Sequence, residues 1–515
     1  MGVTNHHVLY EKRKRQWTVI RDCIEGEDAI KGKGEIYLPR AKGYDLRRYE
    51  AYKLRAEWVN YTRRVLTGLH GLVFRKSPTL TCPDKLKYIS DNCDRKGTSL
   101  YRFASEVFKD SLPVTHGGLL VDMPCAESVT TVLDAEHKKI SPYIKYYRAE
   151  NIINWHFDIV NGVEQVCMVV LEEEYEAEDQ IDEFSHDKKL QYRVLDIFEG
   201  KYRQRLFRSE GKKSDNYTSV EIPITINGQH LDYIPFFPLF ETEPGPPFML
   251  DLARANISHY RKSADYENGV HLTTIPTAYV TGHEQTTYED DSKEEVGLGE
   301  DVFLFIPEAD AKVGTLCFAG EGLSHSEKAL ETSASNMAIL GSRLVVTEKG
   351  TSESADSAKI HRAGENASLA DLANMVADAF TKALRTIGKW IGVEGEIRFE
   401  LCTDYDTLAF DANALNSIAN LSRENKMPLP YVFDILKNGE YTPVTATLEE
   451  YAALLDMEAN GYSPSEIVEQ YRAIKEGKKI AIRKKTKTND NPPLNDDNQE
   501  KNGEDTDEKL VKNEE

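Results

Sequence analysis

Acidic side chains are the residues of this chain whose clustering could support chemistry. Asp290, Asp291, Glu294 and Glu295 lie close together in sequence, and carboxylates that meet in one pocket can bind the divalent metal ions that a nuclease uses. Metal-binding loops place their ligands at fixed intervals, and no such spacing recurs here. The pattern therefore favours a solvated polar loop over a metal site.

A second acidic run covers residues 172–183 and begins with Glu172, Glu173 and Glu174. Charged side chains at the edge of a sheet keep it from pairing with further strands. We therefore interpret this run as a solvated strand edge. His283 and Glu284 lie beside a predicted turn without a visible partner, so we predict no catalytic residue, no metal and no cofactor.

The sequence motifs of common enzymes are also missing. The chain contains no GxSxG, HExxH, GxGxxG, GxxxxGK[ST] or EF-hand pattern, so the sequence gives no positive support for an enzyme or a P-loop motor. Its seven cysteines form no CxxC pair, which indicates free thiols rather than disulfides or a structural zinc site. The adjacent His6 and His7 are interpreted as part of a frayed terminus.

Length and charge narrow the class of protein. The 515 residues are enough for several domains with a sizeable core. A net charge of −22 argues against binding nucleic acid through a broad basic surface. No apolar run is long enough for a membrane span, and the first residues lack the apolar stretch of a signal peptide, so we expect maturation in a cytoplasm.

The most regular pattern lies between residues 323 and 393. Residues 323–345 read as a helix rich in Ala, Ser and Gly, residues 346–357 are a polar break, and a long helix follows. Steps of three and four place its apolar residues on one stripe, which consists of Leu369, Leu372, Val376, Phe380, Ala383, Ile387 and Ile391. A polar break between these two helices is unusual for an enzyme.

The other predicted elements give an α+β fold. Helices are predicted at 45–75, 98–112, 248–273, 411–421, 428–437 and 447–458. Strands are predicted at 35–39, after the glycines at 117–118, through 140–240 as an antiparallel region, and at 278–282, 301–307, 311–318 and 397–402. Residues 311–318 are the expected partner of 301–307. Ser463 and Glu466 have the spacing of a capping box.

Four long phrases carry a specific resemblance. They are YLPRAKGYDLRRYEAYKLRAEWVNYTRRVLTGLHGLVFRKSP, YYRAENIINW, LDLARANISHYRKSADYENGVHLTTIPTAYVTG and the region from SAKIHRAGENASLADLANMV to KWIG. In these phrases and in their order the chain resembles the portal proteins of tailed bacteriophages, the head-to-tail connector family. The resemblance covers most of residues 37–440.

That resemblance implies a ring of identical subunits, expected to be a dodecamer, at one vertex of the capsid in the virion. The ring would assemble in the cytoplasm of the bacterial host, and double-stranded DNA would pass through it during packaging and ejection. The implied partners are the terminase large subunit, a head-completion or tail adaptor, the scaffold protein and the major capsid protein. No membrane is implied.

The same resemblance divides the chain into the regions of a portal subunit. These are an α/β wing (1–247), a first stem helix (248–280), a small α/β clip (281–322), a second stem helix (323–345), a tunnel loop (346–357), a long helix with a returning wing strand (358–405) and a helical crown (406–483). Residues 484–515 are polar, charged and nearly free of apolar residues, so composition predicts a disordered tail there. Small residues would let neighbouring stem helices approach closely; they are Ala329, Ser333, Ala334, Ala338 and Gly341.

The residues expected at the DNA channel follow from this assignment. They are Arg343, Thr347, Glu348, Lys349, Gly350, Thr351, Ser352, Glu353, Ser354 and Lys359. A hydrophilic loop with few cations suits sliding DNA, because each neutralised phosphate strengthens binding through counterion release. Lys349 either contacts phosphate or is an ordinary exposed lysine.

Two other readings stay open from the residues themselves. One is a metal-dependent nuclease, which would need the acidic side chains gathered in a pocket. The other is a non-portal connector of the head–tail junction, although such proteins tend to be shorter and to lack the helix, insertion, helix, loop and helix order found here.

Overall fold

The protein is described by a computed structural model. It covers residues 2–124, 141–160, 162–176, 188–209, 217–222, 224–226, 229–241, 243–274, 277–282, 310–316, 322–345, 355–405, 412–423, 427–438, 447–459, 463 and 466–468. The chain forms two compact units, Met1–Tyr405 and Asp406–Glu515, and each is described by itself.

Helices and strands mix along the first unit. The α-helices of the described part are α1 (Val8–Glu25), α2 (Glu27–Gly32), α3 (Leu46–Arg55), α4 (Tyr61–Val73), α5 (Tyr88–Asp91), α6 (Leu100–Ser111), α7 (Leu250–Thr274), α8 (Leu323–Val345), α9 (Ala355–Trp390), α10 (Ala412–Arg423), α11 (Leu429–Asn438) and α12 (Leu448–Ala459). The strands are β1 (Thr79–Thr81), β2 (Gly117–Asp122), β3 (Tyr143–Arg148), β4 (Ile152–Val160), β5 (Val163–Glu176), β6 (Lys188–Phe198), β7 (Lys201–Ser209), β8 (Tyr217–Ile222), β9 (Thr225–Ile226), β10 (Gln229–His230), β11 (Phe236–Pro238), β12 (Thr277–Thr281), β13 (Lys312–Leu316) and β14 (Arg398–Glu400).

Strand pairing confirms the predicted α+β class. In the described residues every pair of strands is antiparallel. Strands β4 to β8 form a sheet in sequence order, and a smaller sheet has the order β11-β2-β3. The predicted strand after the glycines is confirmed as β2, which is buried along its whole length. A Cβ on Gly118 would lie 2.1 Å from the Phe236 ring, so glycine allows β11 to approach β2.

Helix α9 confirms the predicted apolar stripe. Leu369, Val376, Phe380, Ala383 and Ile387 are all at most 2% exposed, and the helix packs on strands β2, β11 and β14. A long helix with one apolar face buries that face against a sheet, because burial of apolar area is the main favourable term in folding. This helix is therefore the centre of the first unit's core.

The predicted continuous helix over residues 45–75 is wrong. The structure breaks it between α3 and α4, where Ala56 adopts a non-helical ψ of 128°. The Asn60 side chain then accepts a hydrogen bond from the Arg63 amide at 2.8 Å and caps α4. Both Ala56 and Trp58 in the break are buried, so the chain turns there to place its apolar residues in the core.

The predicted strand at residues 35–39 is also wrong. Residues Gly34–Ile36 form a single 3₁₀ turn, and Gly34 begins it with a positive φ of 51° that glycine adopts without strain. The Tyr37 amide donates to the Gly34 carbonyl at 3.1 Å, so the local backbone is satisfied within the turn. Tyr37 and Leu38 are buried in the core.

The solvated strand edge predicted at 172–183 is corrected at Glu173, which is buried. Its first residues belong to β5, where Glu172 lies opposite Tyr192 and Glu176 lies opposite Lys188 of β6. Strand β5 lies between β4 and β6, but its pairing with β4 ends at Leu171, so Glu172 and the residues after it pair with β6 alone. Side chains alternate along a strand; Glu174 is exposed, whereas Glu173 is only 6% exposed. The rest of the run lies outside the described residues.

Glu173 is held in the interior by four donors. They are Arg193 Nε (2.9 Å), Lys145 Nζ (2.7 Å), Gln191 Nε2 (2.8 Å) and the Tyr147 hydroxyl. Burial by itself would raise the pKa of Glu173, but Arg193 and Lys145 outweigh it and lower that pKa to about 2. Arg193 also contacts Asp122 at 3.4 Å, so the network joins the sheet of β5 and β6 to the sheet of β2 and β3.

The second unit contains α10, α11 and α12 in its described residues. The rings of Phe433 on α11 and Tyr451 on α12 lie 5.4 Å apart. The predicted capping box is confirmed, since the Ser463 amide donates to Glu466 Oε2 at 2.7 Å and the Glu466 amide approaches Ser463 Oγ at 3.5 Å.

Candidate functional site

Helices α7 and α8 form an antiparallel pair. Near one end, Leu323 Cδ2 lies 2.9 Å from the place where a Cβ on Gly269 would stand, so the missing side chain permits close contact. Further along, Ala255 of α7 and Met337 of α8 line the same groove. At a rise of 1.5 Å per residue the two helices are about 37 Å and about 34 Å long.

The first half of α7 is anchored in the core by polar side chains. Asn256 is fully buried; its Oδ1 accepts from the Thr62 amide and hydroxyl, both at 3.1 Å, and its Nδ2 donates to the Val59 carbonyl at 2.8 Å. Ser263 Oγ accepts from the Glu57 amide at 3.1 Å. These contacts satisfy backbone groups that the break between α3 and α4 leaves without helical partners.

The second half of α7 is hydrogen-bonded to tyrosines on α3 and just before it. The Tyr52 hydroxyl donates to Asp265 Oδ1 at 2.6 Å, and Asn268 Nδ2 approaches the Tyr44 hydroxyl at 3.4 Å. Burial raises the pKa of Tyr52 and the Asp265 carboxylate raises it further, so the phenol stays a donor. Beyond Asn268 the helix becomes more exposed, and Leu272 is 37% exposed.

Strands β12 and β13 form a ribbon where the helix pair ends. Thr277 lies opposite Leu316. The segment at 311–318 was predicted to pair with 301–307, which lies outside the described residues, but the structure pairs it with β12. Strand β12 leaves α7 and strand β13 leads into α8, so the chain order brings these two strands together at the same end of the helix pair.

Apolar side chains are exposed on the ribbon and on α8. They are Tyr279 (49%), Val313 (56%), Ile339 (41%) and Leu340 (43%). Over residues 322–340, the part of α8 and its start for which burial is described, Met337 is the buried residue. A single chain therefore covers little of α8 as far as Leu340, and exposed apolar surface of this kind is typical of an interaction site.

The small residues of α8 border a groove between the two helices. Ala329 and Ala338 are exposed, whereas Ser333 and Ala334 are half-buried. The groove has a volume of about 440 Å³ and also receives the basic side chains Lys262, His325 and Lys328. Gly341 lies in α8, in the last turns, whose side chains are outside the described set.

The residues predicted for a DNA channel fall between and beside α8 and α9. Arg343 is on α8 and Lys359 is on α9. The other eight residues lie outside the described residues: Thr347, Glu348, Lys349, Gly350, Thr351, Ser352, Glu353 and Ser354. Helix α9 begins at Ala355, so the last three residues of the predicted break at 346–357 are helical.

Possible metal ligands are not clustered in the described part of the chain. There, no group of three or more His, Cys, Asp and Glu side chains is arranged to hold a metal ion. The acidic cluster of Asp290, Asp291, Glu294 and Glu295, and the neighbouring His283 and Glu284, lie outside the described residues. Among the described helices none has the length and apolar character needed to cross a membrane.

The residues that anchor α7 were not predicted from the sequence. Asn256 and Ser263 occupy positions on the same helical face as the apolar residues Ala253, Ile257, Tyr260 and Ala264. A polar residue inside an apolar stripe must have a partner when it is buried, and this interruption was the available signal. It could not identify the partners, which lie about 200 residues away in sequence.

Comparison with known proteins covers the same helical region. Residues 248–391 match the profile of a family described as "Domain of unknown function (DUF4055)". This segment begins just before α7 and ends just after α9, so it includes the helix pair, the ribbon and the long helix. No curated protein matches the chain.

Proposed function

We propose that this protein is a portal subunit of a tailed bacteriophage. The observation that carries the proposal is the arrangement of α7, the β12–β13 ribbon, α8 and α9, in which an antiparallel helix pair ends in a small ribbon and is followed by a long core helix. This arrangement suits two stem helices with a clip between them. The sequence segments within residues 37–440 that resemble portal proteins support the same assignment.

The exposed surface of α8 supports assembly into a ring. Ile339 and Leu340 are each more than 40% exposed. Contact with a neighbouring copy would bury them, and burial stabilises by about 25 cal/mol per Å² of apolar area. Exposed Ala329 and Ala338 let another helix approach closely. In the proposed ring, expected to contain twelve subunits, the stem helices of adjacent copies pack together around a central channel.

The proposed channel conducts double-stranded DNA during packaging and ejection. Residues 346–354 join α8 to α9 and are rich in Ser, Thr and Gly, with Lys349 as their basic residue. A strongly acidic subunit would hold DNA weakly, since affinity for DNA comes largely from neutralised phosphates. The terminase and, later, a head-completion or tail adaptor would dock on the ring, with scaffold and major capsid protein around it.

Ring formation is the first test. In electron micrographs of the purified full-length protein we expect rings with a central channel. Replacing both Ile339 and Leu340 by Asp should abolish the rings, because two carboxylates would have to be buried at each contact. A matched control is Leu54→Asp on α3, where the leucine is 76% exposed; it should leave ring formation unchanged.

Two results would contradict the assembly proposal. One is rings that form equally well with both aspartates on α8. The other is protein from mature particles that is always a monomer. Magnesium-dependent cleavage of DNA by the purified protein would instead favour the metal-dependent nuclease, and a ring without a role in packaging would favour a non-portal connector.

The loop between α8 and α9 gives a separate test. Deletion of residues 348–354 is expected to leave rings intact while reducing the amount of DNA packaged or retained in particles. The physical reason is that the deletion removes the proposed contact with DNA but none of the apolar contacts on α8. Packaged DNA can be measured by nuclease protection, and wild-type levels in the deletion variant would show that the loop does not contact DNA.

A further inference from the structure

A groove of about 810 Å³ lies on the first unit, away from the α7–α8 pair. One wall is α9, another is the 232–240 segment that contains β11, and a third is the end of the large sheet where β4 meets β5 and β6 meets β7. These elements all belong to the same compact unit. Nothing in the proposed portal assembly uses this groove.

The floor of the groove is apolar. Phe237 and Phe240 are half-buried, and Ile197 from β6 is half-buried beside them. At the rim, Val160 is 39% exposed. The same end of the sheet also carries exposed Ile159 (73%) and Phe198 (52%), so apolar surface extends from the floor onto the rim.

The α9 wall of the groove is basic. Lys382, Arg385 and Lys389 are exposed and line it. Arg385 Nε donates to the Ile397 carbonyl at 3.0 Å, whereas neither lysine forms an ion pair within the described part of the chain. The two lysines are seven residues apart, which places them about 10 Å apart along the helix axis on one face.

A basic wall is unusual in this protein. The chain has a net charge of −22, and the groove itself also contains Glu164 and Asp232. Lys389 near the end of α9 can be explained by the helix dipole, which favours cations in the last turn. Lys382 lies two turns earlier, where that effect has faded, so the dipole does not account for the pair.

We propose that this groove binds an acidic segment of a partner protein. Two carboxylates about 10 Å apart would meet Lys382 and Lys389, and an aromatic or aliphatic side chain between them would rest on Phe237 and Phe240. A nucleic acid fits less well. Its sugar–phosphate backbone offers no apolar side chain to the floor formed by Phe237 and Phe240.

Binding of a defined probe tests this proposal. The probe is a fluorescein-labelled decapeptide of alternating Glu and Phe, and binding to the full-length protein is followed by fluorescence anisotropy. The double variant Lys382→Glu, Lys389→Glu should bind at least about tenfold more weakly, because two attractive contacts become repulsive. Val160→Ser should also weaken binding, by about threefold, through loss of apolar contact.

The control is a second variant in which two basic residues outside the groove are replaced by Glu. Lys12 and Arg64 are exposed on α1 and α4 and do not line the groove, so their double replacement by Glu should leave the peptide affinity within about twofold of wild type. Intrinsic tryptophan fluorescence verifies that each variant is folded.

Three results would overturn the proposal. The first is the absence of peptide binding, or equal affinity in the wild type and the Lys382→Glu, Lys389→Glu variant. The second is equal binding of a peptide with Ser in place of every Phe, because the apolar floor would then be unused. The third is preferential binding of a short DNA duplex over the peptide, with that DNA binding lost in the Lys382→Glu, Lys389→Glu variant. This result would assign the groove to nucleic acid.

Discussion

Glu173→Gln is expected to lower the free energy of unfolding of the first unit by about 3 kcal/mol at pH 7. The Glu173 side chain is 5% exposed and the Arg193 side chain 13% exposed, so removing the carboxylate leaves a buried guanidinium with Asp122 as its remaining counter-charge. The change is nearly isosteric, and the loss therefore reports on charge rather than packing. All four tryptophans lie in the first unit, so their fluorescence during urea denaturation measures this unit.

The pH dependence of this effect has a definite sign. The pKa of Glu173 falls from 4.5 to about 2 on folding, so its charge stabilises the folded state above pH 4.5 and this contribution is lost as the pH falls toward 2. Glutamine does not titrate. The difference in unfolding free energy between wild type and Glu173→Gln should therefore shrink by about 1 kcal/mol between pH 7 and pH 4.

Glu174→Gln is the matched control. Glu174 is the next residue on β5, its side chain is 58% exposed, and it pairs with the exposed Lys188. A surface ion pair contributes little, so this variant should change the unfolding free energy by less than about 1 kcal/mol at both pH values. Equal losses for the two variants would show that burial of Glu173 is not what makes it stabilising.

Asn256→Leu is expected to destabilise the first unit by about 3 kcal/mol. Leucine has the same branching and the same number of heavy atoms as asparagine, so no cavity forms. The Thr62 amide, the Thr62 hydroxyl and the Val59 carbonyl, however, lose their partner in the core. Each buried polar group left without a hydrogen bond costs about 1–3 kcal/mol, reduced where the neighbours can relax.

Asn268→Leu on the same helix is the control for this prediction. Asn268 makes one long contact, 3.4 Å to the Tyr44 hydroxyl, so its replacement should cost less than about 1 kcal/mol. Hydrogen exchange gives a second readout, because the Thr62 amide should exchange faster in Asn256→Leu and at the wild-type rate in Asn268→Leu. An unchanged Thr62 amide in Asn256→Leu would contradict the proposed role of Asn256 in closing the break before α4.

The helix pair explains why this anchoring matters for the proposed ring. Helix α7 is fixed to the core by Asn256 and Ser263, while its later turns and α8 are exposed. The pair therefore has one end built into the subunit and a surface available to neighbouring copies. In the proposed portal, strain from DNA passage would be carried by these buried hydrogen bonds into the core.

Much of the fold was predictable from periodicity and capping. The stripe of α9, the buried strand β2, the antiparallel sheet region and the capping box at Ser463 all depend on local spacing, and the structure has all four. The end of α8 at Val345 also follows from where the apolar pattern stops, whereas α9 begins at Ala355, three residues before its predicted start.

Local patterns failed where a distant partner decides the structure. Residues 45–75 carry a continuous helical pattern, yet the chain turns at Ala56 because Trp58 is buried there and Asn256 satisfies the exposed backbone. Glu173 reads as a solvated charge, yet Arg193 and Lys145 allow it to be buried. Neither partner can be inferred from the neighbouring sequence, since the contacts form only after the elements pack.

For the candidate site, the sequence by itself determined the order of elements, the small residues of α8, the polar segment that follows it and the acidic net charge. Each of these is a property of residue type and spacing. The tertiary structure decided that β12 pairs with β13, that α8 keeps Ile339 and Leu340 exposed, and that Lys382 and Lys389 face an apolar groove. Exposure and pairing depend on which surfaces meet across long stretches of chain, so they appear only when the whole first unit has packed.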